Sequence, residues 1–181
     1  MNFSIRKALK TDLSALVGLY REVAEEEGGL ARNSEEITTE YIQYTFDKAR
    51  HAGEMYVIEE RGSQQVVAEI HAYKLVPHVF RHVLSELTIV VHPEYRTYGL
   101  GSMLFQHFLD EISTHRSDVY RVELIARESN KKAITLYERL GFKKEGRLEG
   151  RIWNEQGELE ADIPMFWVNK NFQHTSPLPE G

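Results

Sequence analysis

The chain has 181 residues, with 22 basic and 28 acidic side chains, a formal net charge of −6 and no cysteine. A chain this long buries about 70% of its unfolded surface as one compact domain, and the absence of cysteine excludes disulfides, thiolate nucleophiles and cysteine-bound zinc. The acidic balance argues against a nucleic-acid partner, whose phosphates call for clustered Lys and Arg, and it suits either plain solubility or attraction of a cationic amine.

Phe3 to Leu9 reads as a strand, after which Thr11 or Asp12 is placed to cap a helix carrying Leu13, Leu16, Val17, Tyr20 and Val23 at helical spacing. Gly28 and Gly29 end that pattern, and Ser34-Glu35-Glu36-Ile37 has the form of a cap opening a second helix through about Ala52. Glu54 to Arg61 and Gln65 to Val76, separated by Gly62-Ser63, predict a hairpin, and Leu84 to Val91 is the most strand-like segment of the chain. From Gly99 the apolar positions switch to helical spacing at Leu100, Met103, Leu104, Phe108 and Ile112. The alternation repeats with a strand over Tyr120 to Ala126, a cap at Ser129-Asn130 and a helical face of Ala133, Ile134, Tyr137 and Leu140 closed by Gly141. Arg147 to Trp153 and Glu158 to Trp167 then predict a closing hairpin around Gly157. These elements add up to an α/β fold with a mixed sheet flanked by helices, expected as one domain over 1–172 and a frayed tail over 173–181. The longest apolar runs fall short of the roughly 20 residues that span a bilayer, and the N-terminus lacks a signal-like apolar core, so a cytoplasmic protein with no membrane partner is expected.

The turn Arg96-Thr97-Tyr98-Gly99-Leu100-Gly101-Ser102 lies between a strand and an amphipathic helix. Glycines at 99 and 101 allow close approach to the backbone, and the unpaired N–H groups of a helix's first turn suit a diphosphate. The spacing fits neither Walker A nor the dinucleotide fingerprint, which needs a third glycine where this chain has Leu104.

With Arg96, Gly99 and Gly101 in place, the segment resembles the GNAT superfamily, whose signature is Gln/Arg-x-x-Gly-x-Gly/Ala in this setting. Glu86 to Val91 is similar to that family's fourth strand, and Asn130 with Leu136-Tyr137-Glu138-Arg139-Leu140-Gly141-Phe142 to its fifth-strand and fourth-helix region. The closing part, Glu145-Gly146-Arg147 through Asp162-Ile163-Pro164-Met165, is similar to the branch of phosphinothricin and amino-acid acetyltransferases. The resemblance implies a GNAT acyl-CoA N-acyltransferase fold of about seven strands, mostly antiparallel, splayed between the fourth and fifth, with about four helices. It further implies acetyl-CoA as co-substrate, with a primary amine of a small molecule or amino acid as acceptor and a homodimer as the oligomer.

Under that resemblance the pantetheine arm lies along Ile89, Val90 and Val91, the diphosphate on Arg96 to Ser102, and Asn130 on the arm. Glu86 is the implied base, ten residues before Arg96, and its place on an apolar strand suggests a desolvated carboxyl. Tyr137 is the implied acid for the departing thiolate or a packing aromatic, and both roles are compatible. Glu26, Glu27, Gly28 and His71 are expected to touch the acceptor. His71, His78 and His82 lack a convincing metal setting, so no metal is expected. Acetylation of a protein at its N-terminus or a lysine, and a non-catalytic acyl-CoA sensor, remain the alternatives.

Overall fold

A computed structural model of the chain describes residues 2–26, 30–154 and 156–173. Glu27 and Gly28, and the expected tail beyond Gln173, lie outside the described residues. The strands are β1 (Phe3–Lys7), β2 (Gly53–Glu60), β3 (Gln65–Tyr73), β4 (Val83–Val91), β5 (Arg121–Arg127), β6 (Lys143–Lys144), β7 (Leu148–Trp153) and β8 (Leu159–Val168). The α-helices are α1 (Leu13–Ala24), α2 (Thr39–Ala52), α3 (Leu100–His115) and α4 (Lys131–Arg139).

The sheet runs β1-β2-β3-β4-β5-β8-β6, with β7 added on β8. Among the described residues only β4 and β5 pair in parallel, because a crossover through α3 joins them, whereas hairpins and longer returns leave the other neighbours antiparallel. One face buries Leu16, Leu19, Tyr20 and Val23 of α1 and Ile42, Phe46 and Ala49 of α2. The opposite face buries Leu100, Leu104, Phe105, Phe108 and Ile112 of α3 with Ile134 of α4. Each set repeats at three- and four-residue intervals, which is what fixes these segments as helices on a sheet.

Phe105 is wholly buried and supports three aromatic neighbours, with ring centroids 6.5 Å from Phe108, 5.4 Å from Tyr137 and 5.5 Å from Phe142. Phe105→Ala is therefore expected to cost about 3–5 kcal/mol in a urea unfolding measurement. A loss below about 1 kcal/mol would show that this cluster does not hold α3 against α4.

Two helix starts differ from the sequence expectation. Ser34–Glu36 forms a single 3-10 turn, and wholly buried Ile37 then leaves helical geometry at φ −85° and ψ 85°. The cap of α2 is Thr38, whose hydroxyl accepts the Tyr41 N–H at 3.1 Å. Ahead of α1, the Asp12 carboxylate does not cap the helix. It accepts the Leu9 N–H at 2.7 Å and two hydrogen bonds from Arg6 at 2.7 and 2.9 Å. Burial would raise its pKa, but the Arg6 guanidinium and that N–H outweigh it and hold the carboxyl below its usual range.

Candidate active site

β4 and β5 pair only at Val83 with Arg121 and Leu84 with Val122, and then they part. The register between β3 and β4 shifts where Tyr73 faces Ser85 but His71 faces Thr88, placing one extra residue on β4. Glu86 sits at that point with φ +54°, a left-handed conformation unusual for a residue with a side chain. The bulge turns β4 away from β5 and presents Glu86 at the opening. Its side chain is exposed, so the desolvation expected of an apolar strand is not present there.

Past the bulge, the His92 N–H donates to the Val67 carbonyl at 2.9 Å, which sets the alternation of the ladder. Thr88 and Val90 then turn their main-chain groups toward β3, and Ile89 and Val91 turn theirs toward the open side. An extended chain laid in the gap meets backbone groups of those two residues that the β3 ladder does not use, the Val91 carbonyl also accepting from Arg96 Nε at 3.4 Å.

Two cavities meet this opening. One of about 370 Å³ is lined by Ser85 to Thr88, Glu123 to Ile125, Glu145, Arg151, Pro164 and Met165. Within it, Glu123 and Glu145 are both ion-paired to Arg121, at 3.1 and 2.6 Å, and Glu86 makes no ion pair among the described residues. The other, about 730 Å³, is lined by Ile89, Val90, Val91, Arg96, Gly99, Gly101, Ser102, Asn130 and Tyr137, all singled out from the sequence. Folding adds Val23, Arg127, Ser129, Lys132, Ala133 and Leu136 to that list.

Gly99 adopts φ 72° at the N-cap of α3, and the first helical hydrogen bond runs from the Met103 N–H to the Gly99 carbonyl at 3.1 Å. The N–H groups of Gly101 and Ser102, which precede that bond, have no acceptor within the helix. A Cβ built at Gly99 would meet nothing within 4 Å, so this edge of the cleft is open backbone. Free amides, the helix dipole and the cations Arg96, Arg127 and Lys132 together suit a diphosphate. Thr97 and Tyr98 complete the turn, with the Tyr98 ring packed edge-on against Phe3 at 5.9 Å. Leu100 is buried beneath it in the α3 face.

Asn130 caps α4, its side-chain oxygen accepting the Ala133 N–H at 3.1 Å, and it also lines the cleft. Capping engages the oxygen and leaves the amide NH₂ as the group available to a ligand. Tyr137 packs on Phe105 and Phe142 while lining the same cleft, so packing and access to the cleft coexist. Burial pushes its phenol up to about 12. The group titrates around that value, so it holds a transferable proton throughout the neutral range. The absorbance difference between wild type and Tyr137→Phe should therefore rise only above about pH 11. A step near pH 10 would show a solvated phenol instead.

His71 and Glu26 occupy different settings from those expected. His71 lies in the interior, with Nδ1 3.1 Å from Glu69 and its ring stacked on Tyr73 at 6.1 Å. Tyr20 donates to Glu69 at 2.5 Å from the side of α1, and burial together with that carboxylate raises the Tyr20 phenol well above its usual value. His71 is thus a buried neighbour of Thr88 across the ladder. Tyr73 faces Ser85 across the ladder, next to the bulge, and burial and then the Glu86 carboxylate push its phenol up to about 12. Glu26 pairs with Arg96 at 3.0 Å, at the edge of the larger cleft.

Residues 16–142 match the model of the acetyltransferase (GNAT) family. Over 84 residues the chain is 45% identical to the [ribosomal protein bS18]-alanine N-acetyltransferase of Salmonella typhimurium, a match covering 45% of this chain and 55% of that protein. The chain thus spans about half the length of the curated relatives that it matches there. A match over 143 residues, 29% identical, covers 78% of this chain and 72% of the spermidine N(1)-acetyltransferase of Escherichia coli. The structure is also similar to a phosphinothricin acetyltransferase from Sinorhizobium meliloti in complex with acetyl-CoA. That superposition has a TM-score of 0.83 at 17% identity and covers 98% of this chain and 94% of the other.

Proposed function

The chain belongs to the acetyltransferase (GNAT) family, and from that premise we propose that it moves the acetyl group of acetyl-CoA onto a primary amine of a small molecule or amino acid. The observation that carries this reading is the parting of β4 and β5 after Leu84, which joins a cationic cleft to a carboxylate-lined opening. In this reading the diphosphate rests on the N–H groups of Gly101 and Ser102 beside Arg96. The pantetheine arm pairs with Ile89 and Val91 and takes a hydrogen bond from Asn130. The thioester then reaches the bulge.

An alkylamine is protonated near neutrality and attacks only after losing a proton. Glu86 takes that proton, directly or through a water, as the nitrogen bonds to the thioester carbonyl carbon. The carbon–sulfur bond breaks, and the thiolate receives the Tyr137 proton. The second proton of the attacking nitrogen returns through water to the Tyr137 oxygen, and Glu86 passes its proton to solvent. Attack is direct, within a ternary complex, and forms no covalent bond to the protein.

A protein N-terminal amine is the second reading, favoured by the 45% identity over 84 residues to an enzyme named for ribosomal-protein alanine. Both readings are tested by following coenzyme A thiol release across polyamines, amino acids and alanine-initiated peptides, beside calorimetry of acetyl-CoA. Release with one of these acceptors supports transfer and identifies its class. Tight binding with no release on any of them would make the chain a sensor.

A further inference from the structure

The segment joining α1 to α2 is held at two points by arginines that line the donor cleft. Arg96 donates to the Glu26 carboxylate at 3.0 Å, and Arg127, at the end of β5, donates to the Leu30 carbonyl at 3.0 Å. Both guanidinium groups line the cleft of about 730 Å³, as does Val23 of α1. A second contact, Glu22 with His92 Nε2 at 2.6 Å, fixes the end of α1 beside the same turn. In this state the Glu26 carboxylate holds the guanidinium that a diphosphate oxygen would take.

We propose that Glu26 is a built-in competitor for the donor, so that acetyl-CoA and the C-terminal end of α1 share Arg96. The inference rests on the donor assignment above and extends it to the contact that the donor displaces. When the diphosphate engages Arg96, Glu26 loses its partner. Because coupling between two sites is reciprocal, whatever holds Glu26 on Arg96 weakens the donor, and the donor releases Glu26.

The two partners are half-exposed, so the contact is worth a small factor rather than a large one. Calorimetry with coenzyme A as the probe should show Glu26→Gln binding about two- to five-fold more tightly than wild type at low salt. Glu25→Gln removes the same charge one residue earlier, where no ion pair is present among the described residues, and its gain should be clearly smaller. In an Arg96→Gln background the Glu26 effect should vanish. Equal gains from Glu25→Gln and Glu26→Gln, an unchanged or weakened Glu26→Gln, or a full effect without Arg96 would each overturn the competitor role. Failure of the wild type to bind coenzyme A is a different result, removing the donor assignment itself and the competitor with it.

Discussion

Gly99→Glu is expected to weaken acetyl-CoA binding at least about 100-fold. Gly99 opens α3 at φ 72°, where a side chain costs roughly 1–2 kcal/mol of backbone strain. The site around it is open, so the fold has room for the new side chain and the loss falls mainly on the ligand. A carboxylate placed there lies within a few ångströms of the diphosphate. At 4 Å and an effective dielectric of 20, each pair of unit charges repels by about 4 kcal/mol, which is a factor of several hundred. Gly99→Ala carries the strain without the charge and should lose no more than about ten-fold. Calorimetric affinities of the two variants, with thermal midpoints to confirm folding, check the assignment. Binding by Gly99→Glu within about three-fold of wild type would place the diphosphate elsewhere.

Glu86→Gln should lower kcat by about 10²–10⁴ while leaving the affinity for acetyl-CoA within two-fold. Glu86 stands at the bulge and lines the opening between the strands but not the donor cleft, so donor binding has no reason to change. Gln keeps the shape of the side chain at φ +54° and removes only its ability to take a proton. Glu123 and Glu145 offer no substitute, because Arg121 already holds both carboxylates. Steady-state rates beside calorimetric affinities decide this. An equal fall in kcat and affinity would make Glu86 a structural residue of the bulge, and an unchanged kcat would remove the base role.

The parts of the site that are legible in the sequence are those made by local chemistry. Arg96, Gly99 and Gly101 lie in one turn, and the strand before it and the helix after it show their own periodicities, so the donor turn is readable from six consecutive residues. The residues that folding adds come from elsewhere. Arg127 ends β5, Lys132 belongs to α4 and Val23 to α1, so no spacing rule links them to the turn before the fold brings them together. The bulge at Glu86 is hidden for the same reason, since a left-handed residue inside β4 follows from its register with β3 rather than from its own neighbours.

His71 shows how a correct placement on a strand still misses the environment. Its strand is apparent, but its burial depends on Tyr20 arriving from α1 to complete hydrogen bonding around Glu69, a contact 49 residues apart in sequence. Glu26 reads as part of an acidic, solvated helix end, and its pairing with Arg96 spans 70 residues. Short elements are silent as well. β6 has two residues, too few for any periodicity, and the start of α2 moves to Thr38 because Ile37 is drawn into the core.

The most direct test of the account is a crystal structure of the protein soaked with acetyl-CoA. The account predicts diphosphate oxygens within hydrogen-bonding distance of the Gly101 and Ser102 N–H groups, and the arm paired with Ile89 and Val91. It also places the thioester between Glu86 and Tyr137. Acetyl-CoA bound away from this cleft, or with its thioester turned out of the gap between β4 and β5, would contradict it.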